Sequence, residues 1–122
     1  MNANVVDASA VAAILFDEPG AEQTARLLGT STLVAPALLE YELGNVCWKK
    51  CRKHSGQAEA IRKSLHLLAE LEVQLHDVNA TEVLELARRV DISFYDASYL
   101  WLARRLGLPL VTLDKRLQQA IQ

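Results

Sequence analysis

Only two cysteines, Cys47 and Cys51, occur in 122 residues, too few for the disulfide framework of a small secreted domain. They stand four apart in a stretch that reads as helix, a geometry that does not favour a bond between them. With His54 they offer three zinc ligands but no fourth. The expectation is a buried Cys47 and a partly exposed Cys51. Long apolar runs are missing as well. The longest stretch without a charge, Leu27 to Leu39, has thirteen residues and is broken by Gly29 and Pro36, whereas a spanning helix needs about 20. No Lys or Arg precedes the first apolar run, and Asp7 lies inside it, so no secretory signal is expected. These absences point to a cytoplasmic protein with no membrane partner. Positive charge is not in excess either. Thirteen basic and fifteen acidic side chains give a net charge of −2, a poor footprint for a generic nucleic-acid coat protein. Four acids given over to a metal site would turn that −2 into +2.

What is present is a core. Hydrophobic residues make up 51% of the chain, enough for one domain over residues 1–122. Short β-branched runs alternate with helical stripes. Ala3 to Val6 reads as a strand, followed by helices over Ala8–Phe16 and Ala21–Leu28, the second closed by Gly29. Thr32 to Ala35 is a second strand, and Pro36 suits the first turn of the next helix. There Leu39, Leu43, Val46 and Cys47 form an apolar stripe, and Lys49, Lys50, Arg52 and Lys53 suit the dipole at its end. A further helix carries Ala58, Ile61, Leu65 and Leu68. Val73 to His76 is a third strand, after which Asn79 or Thr81 caps one helix and Ser93 or Tyr95 opens another that stops at Gly107. Pro109 to Thr112 is the last strand, and Leu117 to Ile121 a last helical turn or two. Strands separated by helices give an α/β protein, with a parallel sheet covered on both faces.

Ligands of such sheets bind at the carboxyl ends of the strands. Asp7 directly follows the first strand and Asp114 the last. Glu42 lies at the edge of an apolar helical stripe, and Asp96 shares a helix side with Leu100 and Ala103. Each acid alone has an ordinary explanation, as a helix-end charge, a cap, or a partner for Lys49 or Arg88 in the case of Glu42. Together they share one end of the sheet or face inward, and carboxylates brought to one place repel unless a cation neutralises them. Oxygen-only ligands suit Mg²⁺ or Mn²⁺, ions that activate water and stabilise charge in attack on a phosphodiester.

Four segments containing these acids also resemble a known family. Val6-Asp7-Ala8-Ser9-Ala10, Tyr41-Glu42-Leu43-Gly44-Asn45-Val46, Ser93-Phe94-Tyr95-Asp96-Ala97-Ser98-Tyr99 and Val111-Thr112-Leu113-Asp114 are similar, in order and spacing, to the motifs of PIN-domain proteins, specifically VapC-type toxins of toxin–antitoxin pairs. The resemblance covers nearly the whole chain. It implies a three-layer α/β/α fold with a central parallel sheet of about four strands. It implies a metal-dependent endoribonuclease cutting RNA, transfer or ribosomal RNA in many relatives. By it, Asp7, Glu42, Asp96 and Asp114 are the catalytic acids. Asp7 and Asp96 bind the metal, Asp114 binds it directly or through water, and Glu42 positions or deprotonates the attacking water. Ser9, Asn45 and Thr112 match supporting polar positions. A homodimer and a VapB-like antitoxin are the implied partners. The chain departs from many relatives in showing no clear fifth strand after Asp114.

Other residues have plainer readings. Asp17 and Glu18 read as loop acids, Asp77 follows the third strand, Asp91 reads as a surface acid, and His54, His66 and His76 lack ligand spacing. Lys49, Lys50, Arg52 and Lys53 either track RNA phosphates or form a solvated helix end. Arg104, Arg105, Lys115 and Arg116 are a second basic set, and Lys115 and Arg116 are better placed beside Asp114. Trp48, Trp101, Tyr41 and Phe16 are candidates for an exposed interface. The rival function is a phospho-accepting receiver-like signalling module with Asp77 as acceptor. It expects paired acids after the first strand, where Ala8 follows Asp7. A dehalogenase-like phosphatase expects an acid where Ser9 stands, and a serine triad lacks its glycine elbow.

Overall fold

The computed structural model describes residues 2–121. Strand β1 (Ala3–Val6) leads through α1 (Ala8–Phe16) and α2 (Ala21–Leu28) to β2 (Thr32–Pro36). Helices α3 (Leu38–Lys53) and α4 (Ala58–His66) lead on to β3 (Gln74–His76). Helices α5 (Ala80–Val90) and α6 (Phe94–Leu106) lead to β4 (Leu110–Val111), and α7 (Lys115–Ile121) follows. The sheet has four strands in the order β3-β2-β1-β4, and every pairing is parallel. In register, Val5 faces Val34 of β2 and Leu110 of β4.

That order fixes the layers. The crossovers from β1 to β2 and from β2 to β3 step in one direction, whereas the crossover from β3 to β4 returns past both. Right-handed crossovers therefore put α1 to α4 on one face and α5 and α6 on the other. Val5 and Val6 are fully buried, as a strand covered on both sides requires. Leu39 and Leu43 of α3 and Tyr99, Leu100, Leu102 and Ala103 of α6 complete the main core. Between β1 and β4 the direction of the crossovers reverses, and in open α/β sheets ligands bind outside the carboxyl ends of the strands at such a point. A receiver has the order 2-1-3-4-5, so this sheet rules that reading out.

Details depart from the sequence reading where edges and prolines are involved. Pro36 ends β2 instead of opening α3, because the strand carries on to pair with His76. Proline costs nothing there, since strand β3 reaches this position through its carbonyl, which Ala37 N–H takes up at 2.9 Å. The edge strands are shorter than expected. Strand β3 begins at Gln74 and β4 spans only Leu110–Val111, while α7 starts at Lys115, two residues early. Asn79 and Ser93 are the caps of α5 and α6, accepting from the N–H groups of Glu82 and Asp96. Cys47 is buried and Cys51 partly exposed, and both are free thiols. Phe16 and Trp101 are partly buried and pack against the core, so only Tyr41 and Trp48 of the four named aromatics stand out in solvent, 80% and 55% exposed.

Candidate active site

Helix starts bring the acids together. A helix following a parallel strand runs back antiparallel to it, so its N-terminus lies at the carboxyl end of the sheet. Asp7 is the N-cap of α1. Glu42 is in the second turn of α3 and Asp96 in the first turn of α6. Asp114 caps α7, accepting from Leu117 N–H at 3.1 Å. The positive ends of α1, α6 and α7 thus lie at Asp7, Asp96 and Asp114 and offset part of their repulsion, while Glu42 stands one turn further along α3.

Asp7 is the most enclosed, only 4% exposed. Its Oδ1 accepts from Ser9 Oγ at 2.7 Å and from Ala10 N–H at 3.0 Å. Its Oδ2 accepts from Thr112 Oγ1. Each hydroxyl gives its one proton to Asp7 and receives a backbone proton. Ser9 Oγ accepts from Leu113 N–H at 2.9 Å, and Thr112 Oγ1 from Asp114 N–H at 3.0 Å. Both protons are then spent, so the 3.3 Å approach of Ser9 Oγ to Thr112 Oγ1 is a contact between two acceptors. This lattice locks β4 and Asp114 to the end of β1. Gln118 completes it by donating to the Thr112 carbonyl at 2.8 Å.

Glu42 is half-buried and paired with neither Lys49 nor Arg88. Its Oε1 accepts from Tyr99 Oη at 2.5 Å. Tyr99 is 1% exposed and was not singled out from sequence, though it stands three after Asp96 on one helix side. A buried tyrosine needs a partner for its hydroxyl, and that need was the available signal. Ser9 and Thr112 take the supporting places expected of them. Asn45 is exposed on α3 and takes no part in these hydrogen bonds. Glu18 is not merely solvated but forms an ion pair with Lys50 at 2.8 Å, with the ammonium also 4.8 Å from the Phe16 ring. That removes Lys50 from the free basic set.

The acids sense one another. Burial raises the Asp7 carboxyl above its ordinary range, and Asp114 adds to this against the lowering by Thr112, Ala10 and Ser9. Glu42 is raised by burial and by the charges of Asp96 and Asp7, opposed by the Tyr99 hydrogen bond. Asp96 is raised by burial, then by Asp114 and Asp7, with Arg116 pulling it back. Burial and these same acids push the Tyr99 phenol far up, so it stays a donor. Among the described residues no three His, Cys, Asp or Glu side chains converge as a ready-made metal cage. The donors nevertheless suit a hard cation. A carboxylate has about four acceptor sites, and Asp7 uses three, which leaves one on Oδ2. Mg²⁺ keeps several waters and takes one or two carboxylates, a demand that a loosely spaced acid set meets.

Residues 5–121 match the PIN domain family model, and the chain belongs to that family. It is 34% identical over 120 residues to the ribonuclease VapC3 of Pyrobaculum aerophilum, covering 94% of this chain and 92% of that one. It is 41% identical over 80 residues to the exonuclease VapC9 of the same organism, covering 63% of this chain and 58% of the relative. Among solved structures, PAE2754 from Pyrobaculum aerophilum superposes with a TM-score of 0.82 at 31% identity, covering 99% of this chain and 86% of the other. No helix among the described residues is long and apolar enough to cross a membrane.

Proposed function

We propose that this single PIN-like domain is a metal-dependent endoribonuclease, the VapC-type toxin of a type II toxin–antitoxin pair acting in the cytoplasm. The observation that carries this reading is the set of four carboxylates from four helices, with Asp7, Glu42 and Asp96 raised chiefly by burial and further by the charge of another acid. Asp7, Asp96 and Asp114 are the residues that would hold Mg²⁺ or Mn²⁺. A bound cation there supplies charge neutralisation at the scissile phosphate and a more acidic water.

Glu42 orients the attacking water and takes its proton on Oε2, the oxygen that Tyr99 leaves free. Its raised affinity for protons suits a general base. Arg116, close enough to temper Asp96, and Lys115 beside it hold the phosphates of the substrate strand. The substrate is RNA, with transfer or ribosomal RNA as the favoured classes. A VapB-like antitoxin is the cognate partner. A second copy of the chain is the partner for Tyr41 and Trp48, whose exposed rings mark an interface.

Purified protein incubated with total RNA, with Mg²⁺ or Mn²⁺ and with EDTA, tests the activity. Discrete fragments that need the metal are expected. A circular RNA, which has no ends, separates endonucleolytic from exonucleolytic attack. It is expected to be linearised, and an intact circle beside a degraded linear control would overturn the endonuclease assignment.

A further inference from the structure

The bond between Tyr99 and Glu42 joins the two helical layers across the catalytic end of the sheet. Glu42 belongs to α3 on one face, and Tyr99 to α6 on the other, 57 residues apart in sequence. Helix α6 also carries Asp96, one turn before Tyr99 and on the same side. A glutamate has three rotatable side-chain bonds, and both Asp96 and Asp7 repel this one. Half-exposed and free, it would relieve that repulsion by turning toward water. The phenol prevents this by binding one oxygen, Oε1, and leaving Oε2 without a hydrogen-bond partner among the described residues. The ring itself is fully enclosed in the main core, so the donor sits on a rigid mount.

We infer that Tyr99 is a positioning residue for the reaction: its hydroxyl fixes the Glu42 carboxylate at a set distance from Asp96, with Oε2 presented to the attacking water. The inference rests on the role given to Glu42 above. Tyr99 is almost wholly enclosed, so in this role it acts through Glu42 and not on substrate or metal directly. Its loss should therefore slow the chemical step and leave both binding steps alone.

Tyr99→Phe keeps the buried ring and removes only the donor. Single-turnover cleavage of a short RNA at saturating Mn²⁺ should fall about 10–100-fold, the usual loss when an outer partner of a reacting group is removed. The KM for RNA and the Mn²⁺ affinity from calorimetric titration should stay within about twofold, and circular dichroism melts verify folding. The deciding measurement is the cycle with Glu42→Gln. If Tyr99 acts through Glu42, Tyr99→Phe causes little further loss once Glu42→Gln is in place. A wild-type rate for Tyr99→Phe, or an equal loss in both backgrounds, would overturn the proposal. A wild-type rate for Glu42→Gln is a separate result that removes the general base, and the positioning role with it.

Discussion

At the scale of single residues, charge decides more than shape. Asp96 stands in the first turn of α6, where a helix dipole favours its anion by roughly 0.3–1 kcal/mol. Its carboxyl is nevertheless raised from 3.8, chiefly by burial and then by the charges of Asp114 and Asp7. Asp96→Asn should abolish cleavage, because the amide has no charge to attract a cation. The same change should hold or raise the melting temperature of the metal-free protein. Between pH 3.8 and its higher folded value, Asp96 keeps a proton in the folded state that the unfolded state has lost. Stability therefore falls as pH rises through that window. The melting advantage of Asp96→Asn should be largest at neutral pH and vanish below about pH 3.8, and a variant that melts lower at neutral pH would contradict this. Glu42→Gln should keep Mn²⁺ and RNA affinity while losing about 10²–10⁴-fold in rate; parallel loss of affinity would make Glu42 a direct ligand. Asp7 and Asp114 were legible in sequence because each abuts a strand end. The Tyr99 bond was not, since a contact between two helices 57 positions apart leaves no periodic trace.

Elements explain why the acids hold still. Ser93 caps α6 three residues before Asp96 ends up in the site, its Oγ accepting from Asp96 N–H at 3.0 Å. Ser93→Ala should cost about 1 kcal/mol of folding stability, measurable by urea unfolding, with a smaller loss of activity than any acid substitution. Thr112 bears more, since its hydroxyl serves both Asp7 and the N–H of Asp114. Thr112→Val keeps the shape and strands a buried carboxylate oxygen, so roughly 1–3 kcal/mol should be lost, together with most of the cleavage rate. Helix boundaries α1 and α2 could be read to the residue, because apolar stripes and the stop at Gly29 define them. The short edge strands could not. Strand β4 is two residues long and exists through its pairing with β1, a tertiary fact that local sequence does not encode. Pro36 was misplaced for a related reason: its neighbour strand settles its role, and its own preferences fit both places.

For the whole molecule, the strand order β3-β2-β1-β4 is what turns scattered acids into a site. The alternation of elements was plain in the sequence, whereas the return of the last crossover past β2 and β1 was not, because strand order is set by tertiary pairing. A cation bound to the folded state alone should stabilise the protein by about 2.7 kcal/mol at 100 times its dissociation constant. EDTA should remove that gain from the wild type and change nothing in Asp96→Asn. Light scattering at tens of micromolar, within the range of ordinary interface affinities, should report a dimer, with Trp48→Glu shifting it to monomer. A monomeric wild type would reassign the exposed Tyr41 and Trp48.

The lattice around Asp7 ties residues 105 positions apart, Asp7 and Thr112. The site therefore cannot form until Thr112 and Asp114 have been made. A growing polypeptide that has left the ribosome only as far as α6 has Asp7, Glu42 and Asp96 in hand but lacks β4, Thr112 and Asp114. Closing a loop of that length carries a cost in chain entropy, so the ability to cut RNA arrives only once β4 has been made and has paired with β1. A polypeptide that still lacks β4 thus has no assembled acid site to turn on the RNA of the ribosome producing it.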